Sequence, residues 1–99
     1  MMGIVVRLAT KPNSQSMFER AFAEQAATVR ANESGNRVYE LFRSRTRPDS
    51  YVIIEVYEDE SALAAHRSGA HLAAHRPVTE AFIAANPEIE IFEVVPHSA

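Results

Sequence analysis

Imidazole is the side chain whose charge changes near neutral pH, which suits it to general acid and base work. Three of the chain's four histidines, His66, His71 and His75, fall within ten residues. His71 and His75 stand four apart and share one face of a helix. The spacing does not make a zinc site: His71-Leu72-Ala73-Ala74-His75 lacks the glutamate that follows the first histidine of the zincin motif, and no third ligand follows by spacing. The bland alternative is a set of solvated helix histidines with one packed against a sheet. Glu55 is the second unusual group, a carboxylate set among Val52, Ile53, Ile54 and Val56. Burial would raise its pKa, and an arginine such as Arg7 or Arg43 would lower it. Its neighbours depend on hairpin register. Pairing Thr46 with Tyr51 places Glu55 opposite Phe42, on the face of Glu40, whereas a slip of one residue gives it Tyr39 and Arg43. Arg37, Arg43, Arg45 and Arg47 are all odd-numbered and point one way on a regular strand. They are suited to holding an anionic group or to forming a solvated edge balanced by acids.

The elements that position these groups are legible from periodicity. Gly3 to Ala9 is short and β-branched, bounded by the breakers Thr10-Lys11-Pro12-Asn13, and predicts a first strand. From Ser14 the period changes to helical, with Phe18, Phe22, Ala26 and Val29 on one side. Ser16-Met17-Phe18-Glu19 matches a capping box and Ser14 is an alternative cap. The helix is expected to end near Glu33-Ser34-Gly35-Asn36, with Gly35 suited to a left-handed stop. Arg37 to Thr46 alternates as a strand, Arg47-Pro48-Asp49-Ser50 turns, and Tyr51 to Glu58 is apolar on both faces, as a central strand would be. Asp59-Glu60-Ser61 opens a helix to Arg67. Ser68-Gly69 interrupts it, and a second stretch runs from Ala70 to about Ala85 with a kink or restart expected at Pro77. Glu88 to Val95 alternates as a last strand.

The order β-α-β-β-α-β, with the second α broken, predicts an α+β, ferredoxin-like fold with a four-stranded antiparallel sheet and helices on one face. Length and composition bound the rest. Ninety-nine residues, 46% apolar and 23% charged, are expected to form one domain over residues 1–99. A net charge of −3 argues against a nucleic-acid partner. Zero cysteines exclude disulfides, thiol catalysis and Cys-ligated zinc. No window approaches a membrane span and no signal peptide opens the chain, so a cytoplasmic protein without membrane partners is expected. Two helices cover one face of the sheet, yet Val5, Tyr39, Leu41 and Phe92 alternate with Ile4, Val6, Phe42 and Val94. Apolar residues on both faces imply a cover for the second face, and a homodimer packed sheet on sheet is the expected one.

Several segments in order resemble the antibiotic biosynthesis monooxygenase (ABM) domain family. They are Gly35-Asn36-Arg37-Val38-Tyr39-Glu40-Leu41, Tyr51 to Glu60, and Ala62-Leu63 with His66 and His71. Members show Gly-x-x-x-Tyr-Glu-Leu, Glu-x-Trp followed by acids, and Ala-Leu-x-x-His before Ser-Pro-His; Lys11-Pro12-Asn13 stands where they carry Lys-Pro-Gly. The resemblance covers essentially the whole chain and implies a dimeric α+β barrel of ferredoxin-like subunits, each with a pocket between helices and sheet. It also implies a monooxygenase without metal or flavin, in which a deprotonated quinol-like or polyphenolic aromatic reduces O₂ itself and the protein supplies a base and a water-excluding cavity. On that basis His66 or His71 is the expected base and Tyr39 and Glu55 orient substrate or a histidine. Tyr57, Arg43, His75 and Phe82 are the further residues expected to touch substrate. Tyr57 replaces the family's Trp, Gly69-Ala70-His71 replaces Ser-Pro-His, and Val6 with the lack of any Trp departs from the haem-degrading branch. Two other readings fit the same residues. One is an isomerase of a small carbonyl compound, phosphorylated or not, with Arg43 or Arg45 on the anion. The other is a non-enzymatic dimer that sequesters a ligand.

Overall fold

The chain switches period from two to 3.6 and back where its breakers stand, and the computed structural model, which describes residues 1–97, places the elements accordingly. They are β1 (Met2–Ala9), α1 (Gln15–Asn32), β2 (Asn36–Arg43), β3 (Ser50–Tyr57), α2 (Glu60–Ser68), α3 (Ala70–Glu80) and β4 (Glu88–Glu93). The four strands form one antiparallel sheet in the order β2-β3-β1-β4, the ferredoxin-like arrangement.

Strand alternation decides which face meets the helices. Ile4, Val6 and Leu8 of β1 and Tyr51, Ile53, Glu55 and Tyr57 of β3 are buried on that face. The stripe Phe18, Ala21, Phe22, Gln25, Ala26 and Val29 of α1 closes over them. Aromatic rings run continuously along the interface. Phe18 lies 5.1 Å from Tyr51 and 6.5 Å from Phe22, Phe22 stacks on Tyr39 at 5.2 Å, and Tyr39 lies 5.6 Å from His66. Such contacts add about 0.5–1.5 kcal/mol each beyond area burial.

The β2–β3 register places Tyr39 opposite Glu55 and Arg43 opposite Tyr51. Glu55 takes the face of Tyr39, as in the slipped alternative, but the strands are set three residues from the Thr46–Tyr51 pairing and Arg43 is not its neighbour. An irregularity between Asn36 and Val38 accommodates Arg37. The second helical stretch stops at Glu80 rather than near Ala85 because its continuation is recruited by the end of β1. Lys11 N–H donates to the Phe82 carbonyl, Ala84 N–H donates to the Ala9 carbonyl, and Ile83 bridges Thr10. Pro77 is accommodated within α3, and the helical break falls at Gly69, whose backbone is extended.

Gly35 acts differently from the sequence expectation. No glycine has positive φ; the left-handed positions are Asn13 and Asp49 in turns, each at φ 63°. Gly35 is required by a close approach, since a Cβ there would lie 2.5 Å from Ala62 Cβ. Its carbonyl accepts Glu58 N–H at 2.9 Å, tying the end of α1 to the start of α2. Gly35→Ala should therefore destabilise the fold by about 1–3 kcal/mol through overpacking, a Tm loss of roughly 4–8 °C per kcal/mol in thermal denaturation. An unchanged Tm would contradict this packing.

Candidate functional site

Between the sheet and the helices lies a cavity of about 560 Å³. Val6, Leu8, Ile53 and Ile89 form its apolar floor, Gln25 and His66 reach it from α1 and α2, and Leu72, Arg76 and Thr79 line it from α3. The 83–87 segment borders it on the β4 side, where Ile89 is 62% exposed, so the cavity opens there. Apolar walls with a few convergent polar groups are the usual character of a small-molecule site.

His66 reaches the cavity because α2, capped by the Asp59 carboxylate on Ala62 N–H at 2.8 Å, buries one face of its short length through Leu63 and His66. The imidazole is held from both sides. Nδ1 lies 2.9 Å from both Glu33 oxygens, and Nε2 faces Glu55 Oε1 at 3.6 Å, beyond a direct hydrogen bond. Tyr57 donates its hydroxyl to Glu55 Oε1 at 2.8 Å, and its ring is tilted 46° to that of His66, with centroids 5.1 Å apart. Glu33 also takes His71 Nε2 at 2.6 Å.

A second chain of hydrogen bonds orients Tyr39. Thr79 Oγ1 donates to Gln25 Oε1 at 3.0 Å, and Gln25 Nε2 donates to the Tyr39 hydroxyl at 2.7 Å. Because the hydroxyl oxygen accepts, its own hydrogen is free to donate, and it has no acceptor among the described residues. Burial, reinforced by the Glu55 charge, holds the Tyr39 hydroxyl well above the ordinary phenol range, so it stays a donor. Burial also pushes the Glu55 carboxyl up, against smaller opposing effects of the Tyr57 hydroxyl and His66.

Of the residues singled out from sequence, His66, Tyr39 and Glu55 meet at the cavity. His71 does not line it; it stands behind His66, bordering a separate depression with Glu33. Tyr57 is fully buried beneath Glu55. Arg43 lies four residues along the sheet from the Tyr39–Glu55 pair, about 14 Å at strand spacing, and pairs with Glu19 at 2.9 Å. His75 faces α1, with Nε2 3.3 Å from Thr28 Oγ1. Phe82 packs against the core beside the cavity without lining it. Sequence reasoning missed Glu33, Gln25, Arg76 and Thr79. Gln25 had a signal, as the polar member of the buried α1 stripe, and Leu72, Arg76 and Thr79 share a helical face at i, i+4 and i+7. Among the described residues, no group of three or more His, Asp or Glu side chains is arranged to hold a metal ion. No described helix is long and apolar enough to cross a membrane.

A ferredoxin-like α+β protein with an internal cavity, and a histidine, a carboxyl and a tyrosine hydroxyl directed into it, is the class these features define. The model of the antibiotic biosynthesis monooxygenase family matches residues 1–78, and the chain belongs to that family. It is similar to the structure of a Caulobacter crescentus protein classed with these monooxygenases, at 34% identity and TM-score 0.91, over 96% of this chain and 90% of that one. It is also similar to SnoaB, a cofactor-independent oxygenase from Streptomyces nogalater, at 25% identity and TM-score 0.84, covering 97% and 94% of the two chains. A Nitrosomonas europaea protein at 23% identity shares the fold, with TM-score 0.85 over 97% of this chain and 100% of that one. No curated protein matches the chain.

The upward push on Glu55 has a measurable consequence. The folded state binds its proton more tightly than the unfolded chain, so Glu55 detracts from stability increasingly as pH rises above its ordinary value of 4.5. Glu55→Gln removes the ionisation and keeps an oxygen for Tyr57. The stability of this variant relative to the parent should rise between pH 4 and pH 8 in denaturant titrations, and a difference independent of pH would show that the carboxyl is not penalised by burial.

Proposed function

We propose that the protein is a cofactor-independent monooxygenase that oxidises a quinol-like or polyphenolic aromatic with O₂. The observation that carries this reading is the His66 imidazole, which lines a cavity with an apolar floor beside a tyrosine hydroxyl with a free hydrogen. Membership of the family and the likeness to SnoaB support it.

In this reading His66 Nε2 takes the acidic proton of the substrate, and the Tyr39 hydroxyl donates to the oxygen on which charge develops. The resulting anion is the reductant. For an anthrone-type CH₂, the deprotonated carbon forms a C–O bond to O₂, and the peroxide takes up the proton. Loss of the remaining C–H proton and cleavage of the O–O bond then give C=O and one water, so that CH₂ and O₂ become C=O and H₂O. The apolar floor limits water at the anion, and Glu55, held on Tyr57, is placed to receive or return a proton through His66.

One observation favours a second reading. Arg76 lines the cavity and makes no ion pair among the described residues. A cation there suits an isomerase of a small anionic carbonyl compound in which His66 and Glu55 shuttle the proton, with Arg76 rather than Arg43 or Arg45 on the anion.

Oxygen uptake with a panel of hydroquinones and anthrones separates the two. His66→Ala should lower the rate by about 10²–10⁴-fold, and Tyr39→Phe by up to about 10²–10³-fold. Rates equal to the uncatalysed background for parent and variants would reject the oxygenase, and proton exchange into a phosphorylated carbonyl probe without O₂ uptake would select the isomerase.

We further propose that a second copy covers the outer face of the sheet. Val5, Val38, Val52, Ile54 and Val56 form an apolar centre there, flanked by Phe42 and Phe92 at 55% and 43% exposure. A patch of this kind marks an interface. Light scattering should give about twice the 11.0 kDa chain mass, falling to one chain in Phe92→Glu; a monomeric parent at micromolar concentration would overturn this.

A further inference from the structure

We infer that Glu33, with His71 behind it, is the positioning residue of His66: it fixes which ring nitrogen is bare and supplies the negative charge that a protonated His66 needs. The inference rests on the reading of His66 as the base for its catalytic consequence, while its structural content stands independently of any substrate.

Glu33 is the first residue after α1, and its backbone is extended, which turns the side chain beneath α2. There it is 5% exposed, and its oxygens are met by His66 Nδ1 at 2.9 Å and His71 Nε2 at 2.6 Å. An ionised carboxylate only accepts hydrogen bonds. Both ring nitrogens that meet it therefore carry hydrogen, so His66 has its proton on Nδ1 and its lone pair on Nε2, the atom that faces the cavity side. Glu33 itself does not line the cavity; it acts on substrate only through His66. His71 likewise acts through Glu33, supplying the second ring nitrogen that meets its carboxylate.

The other groups facing this cluster leave that role to Glu33. Glu55 and Tyr57 approach from β3, Tyr39 from β2 and Arg76 from α3, and Arg67 follows His66 on α2. Glu55 stands 3.6 Å from Nε2, is pushed toward its protonated form and already accepts from Tyr57. Glu33 is the carboxylate hydrogen-bonded to the ring. When Nε2 takes a proton, the imidazolium retains a charge-assisted bond on Nδ1, the arrangement by which a carboxylate orients a catalytic histidine.

The test begins with the parent protein and no substrate. Nitrogen-15 NMR of the imidazoles should show His66 and His71 in fixed tautomers, with hydrogen on His66 Nδ1 and on His71 Nε2. Hydrogen on His66 Nε2 in the neutral ring would overturn the inference. Glu33→Gln keeps an acceptor of the same size without the charge. In that variant the His66 tautomer should persist, with activity read on a hydroquinone probe. kcat should fall 10- to 10³-fold with KM within about threefold. Glu33→Ala should give a mixture of tautomers, and His71→Gln should show the Glu33→Gln pattern more weakly. A purely structural tie would lower Tm and leave both kcat and the tautomer in place in these variants, which would also overturn the inference. If no variant or parent consumes O₂ while the NMR outcome holds, the oxygenase reading fails and the positioning stands.

Discussion

A carboxylate withdrawn from water must be met by donors or give up its charge, and this fold withdraws two of them around a single imidazole. Glu33 and Glu55 are both nearly inaccessible and sit at opposite nitrogens of His66. They meet the requirement differently. Glu33 is met by two imidazole nitrogens, whereas Glu55 receives one phenol and is pushed toward its neutral form. Unpaired burial of a charged carboxylate would cost several kcal/mol, and α2, α3 and β3 bring the groups that meet these two. Pairs of titratable groups pushed apart by their surroundings are the usual basis for assigning acid and base roles.

The remaining packing serves this arrangement. The aromatic run from Tyr51 through Phe18, Phe22 and Tyr39 ends on the His66 ring, and Tyr57 closes it from the other side. Close-packed rings tolerate little displacement, so the imidazole has few alternative positions. Gly35 lets the chain pass against Ala62, which brings Glu33 beneath α2. The cavity, by contrast, is bounded on one side by the 83–87 segment and the uncovered β4 residues, where packing is looser.

Element order follows from the switches of period between two and 3.6, and the fold was legible for that reason. The separation of His71 and His75 from the cavity was not, since residues 71, 72 and 75 fall within about 100° of one another on a helix of 3.6 residues per turn, and the grouping of His66, Tyr39 and Glu55 was expected from the family resemblance alone. Register was not legible either, because Val52, Ile54 and Val56 are as apolar as Tyr51, Ile53 and Tyr57, and alternation then cannot choose the inward face. The loop closed by Ser44 N–H on the Ser50 carbonyl, with Asp49 left-handed, makes that choice. Glu33 was illegible for another reason: it stands outside every periodic segment, in the turn after a helix, and its role exists only once α2 and α3 have folded over it. The end of α3 was misplaced because the two backbone hydrogen bonds that bridge Ile83 to Thr10, at the end of β1, outweigh the helical preference of Ala81 to Ala85.

Gly69 divides what would otherwise be one helix into two, and the division separates two kinds of work. The imidazole and its carboxyls stand on α2, β3 and the turn before β2, while Leu72, Arg76 and Thr79 form a wall on α3 alone. In the proposed reading the wall on α3 and the imidazole on α2 are joined by a single extended residue, and His71, tied to Glu33, is the α3 side chain that belongs to the cluster. Substitutions at 72 and 76 reshape the space offered to a ligand without touching a hydrogen bond of the imidazole. Under the proposed function, a scaffold built this way would change the molecule it accepts while keeping the imidazole and its carboxyls in place.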